Sequence, residues 1–221
     1  MNKCSCKYFV IVANQQTFLS FAGIQFIYMK KSKKKERFLA VVLKLIHKKG
    51  FKATTMRDIA QELNFEVANV YNYIDSKQSL LEGYIFETQD EFHAALDPIL
   101  DSTFSPKEKL RLMVSSYIRI TTKRPYEQAL LVNEWRNLKE PRLQEFITRR
   151  KDYENKLMDI INEGVEQGQF RKLDIEMTAQ TILASLRWLH NKYLRSESSI
   201  TPVEVEKQLM AFIFEGISKD Q

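Results

Sequence analysis

Arg57, Val67, Asn69, Asn72 and Tyr73 lie close together in the chain, and their side chains are of the types that meet DNA base edges and groove walls. A guanidinium pairs with guanine, a carboxamide with adenine, and an apolar group lies against the thymine methyl. Lys33, Thr54 and Thr55 are donors of the kind that hold phosphate oxygens, which fixes register without reading sequence. Nothing comparable points to catalysis. The three histidines, His47, His93 and His190, are isolated helix residues, and Asp97 and Asp101 flank an apparent loop rather than forming an acid pair. No nucleophile-base pair, metal cluster or phosphate-cradling glycine loop is recognisable, so no enzyme, metal site or resident cofactor is expected.

The elements that must position these residues run from Thr54 to Lys77. Thr55 is placed to cap a helix, with Asp58 reaching back to the cap's own amide. Ile59, Ala60 and Leu63 fall at helical spacing, and the small Ala60 allows a second helix to approach. Asn64 forms the turn, since Asn tolerates the left-handed conformation needed there. Val70 and Ile74 continue the apolar face of a short second helix and leave Asn69, Asn72 and Tyr73 outward. Ser76-Lys77 opens the next helix, whose free amides and Lys77 suit a phosphate. Charge follows the same plan: residues 30–77 carry 12 Lys and Arg against 5 Asp and Glu, whereas residues 78–221 carry 20 against 23. Basic charge gathered on one module is what attraction to phosphate requires.

The pattern resembles the DNA-binding domain of the TetR family of bacterial transcription regulators over about residues 34–85. The resemblance rests on Phe38 to Gly50, on Thr54-Thr55-Met56-Arg57-Asp58-Ile59-Ala60, on Val70-Tyr71-Asn72-Tyr73-Ile74 and on Asp75-Ser76-Lys77. Asn64 replaces the usual glycine, and Glu66 replaces a small hydroxyl residue where an acid would repel phosphate. The resemblance implies backbone contacts for Tyr71 and Lys77, but it implies no base readers, because that face varies with the operator.

Scarce Gly (6) and Pro (5) and helical spacing throughout predict an all-α fold of about nine helices. A basic arm and three-helix helix-turn-helix domain occupy residues 30–77, and a helical ligand-binding and dimerisation bundle occupies residues 78–221. Helix starts are expected at Ser105-Pro106, Pro141, Asp174 and Thr201-Pro202, and a stop near Gly168. Residues 1–29 fit neither domain. They are uncharged from Tyr8 to Met29, too interrupted for a membrane span or signal peptide, and hold both cysteines, Cys4 and Cys6. The reading is that Met29 is the start and residues 1–29 are an upstream extension; a membrane tether is the alternative.

Within the family, the resemblance implies a homodimer that encloses a small-molecule pocket, binds a palindromic operator and works in the cytoplasm without a membrane. The last two helices are apolar on more than one face, which places the interface at Ile182, Leu186, Leu189, Tyr193, Leu209, Phe212 and Ile213. The run from Tyr153 to Phe170, with Asp174, Arg187-Trp188-Leu189 and Tyr193, is similar to family members that sense acyl-CoA thioesters. Tyr117, Trp135, Tyr153 and Trp188 suit an apolar ligand such as an acyl-CoA or fatty acid, with Arg149 or Arg150 for a phosphate. The expected function is a ligand-responsive repressor. A membrane-tethered sensor and an architectural DNA binder without a ligand are the alternatives.

Overall fold

The computed structural model describes residues 33–194 and 201–217. The readings made for residues 1–29, and for Lys30 and Lys31 of the basic arm, lie outside them. The chain divides into two units, Met1–Val41 and Val42–Gln221. The described part of the first is the opening half of helix α1, residues 33–49; everything else described belongs to the second.

Three of the helices open on the caps that their sequences announce. Helices α2 (Met56–Glu62), α4 (Lys77–Leu100) and α5 (Pro106–Lys123) each begin with a reciprocal capping box, made by Thr55 with Asp58, Ser76 with Ser79, and Ser105 with Glu108. Asn64 has φ 53°, the one positive φ outside glycine among the described residues, and turns the chain into α3 (Val67–Val70). Helices α6 (Pro125–Asn133), α7 (Arg142–Glu166), α8 (Ile175–Arg187), α9 (Leu189–Leu194) and α10 (Pro202–Ile217) complete the bundle, with a 3-10 turn at Trp135–Asn137. The sequence reading ran one helix from Asp174 through Tyr193; the helix breaks at Trp188, where the Arg187 carbonyl accepts from His190 Nδ1 at 2.6 Å. That break divides one expected helix into two, and the all-α fold of about nine helices stands.

At 24 residues, α4 is about 36 Å long and serves both modules. Its first turns bury Leu80 and Leu81, and its later turns bury Phe92 and Leu96 in the bundle core. Leu110, Val114, Leu157, Leu186 and Leu189 of that core are wholly excluded from solvent.

The turn between α1 and α2 has no ladder to absorb its polar groups, so side chains do. Thr54, fully buried, donates its hydroxyl to Gly50 O at 2.8 Å. Lys77 Nζ reaches back to the carbonyls of Phe51, Lys52 (3.4 Å) and Thr54 (2.5 Å) and lies 4.4 Å from the Phe51 ring centroid. Burial lowers the pKa of this ammonium, opposed by Glu134 and Asp58.

The Gly164 to Phe170 run is a helix stop. Gly168, at φ 71°, ends α7, and the chain folds back so that Phe170 covers Gly164. A Cβ on Gly164 would sit 2.1 Å from Phe170 Cδ2, so only glycine fits. Gly164→Ala should therefore cost about 2 kcal/mol or more by overpacking, read as a lower urea midpoint at unchanged slope; an unchanged midpoint would show that the ring yields freely. Lys77→Met keeps the apolar stem but loses the carbonyl bonds, and about 2 kcal/mol of stability should go with them. Lys52→Ala, exposed, should stay within about 0.5 kcal/mol of the parent. A stable Lys77→Met protein with a reduced salt dependence of DNA binding would instead return Lys77 to phosphate contact.

Candidate nucleic-acid interface and buried pocket

The reading module is held by its own small core. Ile59, Ala60 and Val70 are buried between α2 and α3, Phe65 N donates to Ala60 O at 2.8 Å to close the turn, and Phe65 stacks on Tyr73 with centroids 6.0 Å apart. Asn69, Tyr71 and Asn72 are exposed, as is Arg57 on α2, and Val67 is half-buried beside them. These residues form a surface that can meet a groove. Thr55 is exposed, but its hydroxyl is engaged with the Asp58 carboxylate at 2.6 Å. Lys49 Nζ pairs with the same carboxylate at 2.8 Å, and these bonds hold the Asp58 pKa well below the usual range. Lys33 is exposed at the start of α1, in the other unit.

Two assignments change. Thr54 has no exposed surface, because its hydroxyl caps the preceding turn, and it is removed from the phosphate contacts. Lys77 is removed for the same reason: its ammonium is committed to backbone carbonyls.

A cavity of about 260 Å³ lies inside the bundle. Helix α4 lines it with Gln89, Phe92 and His93, α5 with Tyr117, and α7 with Phe146, Arg150, Tyr153 and Glu154. Leu131, Val132, Trp135 and Arg136 close one wall, and Leu183 and Arg187 of α8 another. The structure thus gathers Tyr117, Trp135, Arg150 and Tyr153 of the expected ligand residues. It excludes two. Arg149, about 100° further round α7, pairs with Asp90 and faces the Phe86 ring, and Trp188 sits exposed at the helix break. The aromatics are ordered before any ligand arrives: Trp135 stacks on Phe146 at 5.3 Å, and Phe92 packs against Tyr117 at 4.6 Å.

Charge in the cavity is mostly positive. Glu154 accepts from Arg150 at 3.1 Å and Arg187 at 2.8 Å. Burial pushes the Glu154 carboxyl up, but the two guanidiniums outweigh it and hold the carboxyl below its ordinary value. Arg136, 4.4 Å from the Trp135 ring, adds a third guanidinium against this single lining carboxylate. Burial lowers the His93 pKa, as do Lys156 and Arg149.

Sequence reasoning missed Gln89, His93, Arg136 and Glu154. Gln89 carried a usable signal, since it falls in the stripe Leu81, Ile85, Thr88, Phe92 and Leu96 that α4 buries. The pocket wall also touches the reading module's first turn. Glu134 Oε1 accepts from Phe51 N at 3.2 Å, Glu134 Oε2 accepts from Asn137 Nδ2 at 2.7 Å, and Gln78 Nε2 donates to Asn137 O at 3.2 Å.

The expected interface residues are largely spent within one protomer. Ile182, Leu186, Leu189 and Ile213 are buried core, and Tyr193 and Leu209 pack against it; Phe212 alone stands 65 % exposed. The free face of α8 is instead Met177, Thr181, Ala184 and Trp188, at i, i+4, i+7 and i+11.

Comparison with known proteins supports the same picture. The profile described as "Tetracyclin repressor-like, C-terminal domain" matches residues 103–217, and "Bacterial regulatory proteins, tetR family" matches residues 38–84. The HTH-type transcriptional repressor KstR2 of Mycolicibacterium smegmatis is 25 % identical over 190 residues, covering 85 % of this chain and 92 % of that protein. The structure of the ketosteroid transcriptional regulator KstR2 of Mycobacterium tuberculosis is similar, with a TM-score of 0.78 and 24 % identity over 85 % of this chain and 96 % of that one. AibR, solved in complex with isovaleryl coenzyme A and operator DNA, has a TM-score of 0.68 and 22 % identity over 81 % of this chain and 97 % of its own. With one profile spanning the reading module and the other more than half of the chain, this protein belongs to the TetR family of transcriptional regulators and is not an enzyme.

Proposed function

We propose that this regulator is a homodimeric repressor that binds a palindromic operator and is released by an anionic, partly apolar ligand of the acyl-CoA class. The observation that carries the reading is the double use of residues 131–137. One side of this segment walls the cavity through Leu131, Val132, Trp135 and Arg136, and Glu134 within it holds the Phe51 amide of the turn ahead of α2. A ligand that repacks Trp135 therefore shifts the group that positions the reading helices. Its leverage is limited to its difference in affinity for the two arrangements.

Two further features support the ligand and the dimer. Three guanidiniums against one lining carboxylate leave the cavity positive, which suits phosphate groups. AibR, of the same fold, was solved with isovaleryl coenzyme A. The exposed face of Met177, Thr181, Ala184 and Trp188, beside Phe212 of α10, is an apolar surface of the kind that two copies bury across a two-fold axis. Such an axis sets the reading helices about 34 Å apart or a multiple of it, hence a palindrome.

The direct experiment is selection of bound sequences from a random DNA pool with the full chain, repeated with acyl-CoA present. A palindrome that disappears on adding the thioester is expected; a palindrome indifferent to it would discard the ligand class, and no enrichment would discard sequence-specific repression. On the recovered operator, Asn69→Ala should lose about 1–3 kcal/mol of preference over random DNA, and equal losses on both would remove Asn69 from base reading. Phe212→Glu should convert the dimer to monomer in sedimentation and abolish tight operator binding. An unchanged dimer would place the interface elsewhere.

A further inference from the structure

We propose that Glu66 reads a cytosine in each half-site of the operator and is a specificity-determining residue rather than a contact to the DNA backbone. This rests on the reading of the protein as a sequence-specific repressor and names one base of its site. Glu66 stands immediately before α3, and its carbonyl accepts from Asn69 N at 2.9 Å, as the Asn69 carbonyl accepts from Asn72 N at 3.3 Å. Glu66, Asn69 and Asn72 therefore lie a turn apart in one column, and all three are exposed. Val70, the residue after Asn69, is fully buried, so the column faces away from the core of the module. Two such turns rise about 9–12 Å, enough to meet roughly three successive base pairs.

The Glu66 carboxylate has no partner within the fold. Asp58, on the helix before it, is held by Lys49 and by the amide and hydroxyl of Thr55. Glu66 gives its helix no side-chain cap, and its carboxylate makes no hydrogen bond or ion pair among the described residues. Residues 30–77 carry 12 Lys and Arg against 5 Asp and Glu, and an exposed acid on the outward column weakens their attraction to phosphate. A donor on a base edge offsets that loss. In the major groove guanine and thymine present only acceptors, and adenine sets its N7 acceptor beside its amino group. A carboxylate can only accept, so the cytosine amino group is the edge that meets it without an opposing lone pair. Asn69 and Asn72, next in the column, carry the carboxamides that suit adenine. The column thus calls for cytosine close to adenine in each half-site.

The test takes the operator that the full-length protein selects from a random pool and changes each fixed cytosine pair in turn to thymine–adenine, in both half-sites. Binding of the parent and of Glu66→Gln to each duplex is followed by fluorescence anisotropy, alongside thermal unfolding of both proteins. The parent should select a palindrome with a fixed cytosine in each half-site and lose roughly tenfold per half-site when that cytosine is changed. Glu66→Gln has the same shape but offers an N–H as well as a carbonyl, so at that position its loss should shrink to about threefold or less while the other positions keep theirs. Its unfolding midpoint should match the parent's. A selected palindrome without a fixed cytosine, or equal losses in the two proteins at every cytosine, overturns the assignment and leaves sequence-specific binding in place. A lower midpoint in Glu66→Gln overturns it too, by giving the carboxylate a part in the fold. No enrichment by the parent removes both readings, since a base reader must leave a preference in the pool.

Discussion

The structure depends on how five residues of irregular backbone, Gly50 to Thr54, satisfy their polar groups. These residues carry the chain from α1 into the reading helices: Gly50 N donates to Ile46 O of α1 and Thr54 N to Gly50 O, and the Phe51 groups find their partners further off. Lys77, from 26 residues away, takes the Phe51 and Thr54 carbonyls, and Glu134, from 83 residues away, takes the Phe51 amide. Leaving one such group unmet costs about 1–3 kcal/mol, a large share of the roughly 5–15 kcal/mol that holds a domain together. The turn is therefore held by local bonds at Gly50 and Thr54 together with the start of α4 and the segment after α6.

The same dependence explains the cavity wall. Trp135 is stacked on Phe146 and flanked by the Arg136 and Arg150 guanidiniums, which lie 4.4 and 5.7 Å from its ring. Arg150 and Arg187 are in turn shared out by one carboxylate, Glu154. One carboxylate thus holds two of the arginines in place, while the three lining guanidiniums keep the cavity positive.

What the sequence made legible was local. Capping boxes join residues three apart, so Thr55 with Asp58, Ser105 with Glu108 and Thr201 with Glu204 could be read directly, as could the left-handed turn at Asn64. The family resemblance added order and spacing for the whole reading module. Lys77 and Thr54 misled because a donor beside a helix start serves a phosphate or a distant carbonyl equally well, and only the fold chooses. Ile182, Leu186 and Leu189 have the apolarity expected of an interface, but the chain uses that stripe for its own core and leaves the face of Met177 and Trp188 outside. Glu134 was invisible, since it looks like an ordinary helix residue until its partner is known.

Magnitudes limit how a ligand in this cavity could release DNA. Moving a two-state equilibrium from 1:99 to 99:1 takes about 5.5 kcal/mol. A hydrogen bond to a charged acceptor, as Phe51 N makes to Glu134, contributes about 1.5–3 kcal/mol. A single such link falls short of a full switch. In the proposed dimer both copies must bind one operator together, so two links act on one equilibrium and their sum, about 3–6 kcal/mol, reaches the required range. The dimer would then do more than set half-site spacing: it would turn a coupling too weak in one chain into one strong enough to clear the operator.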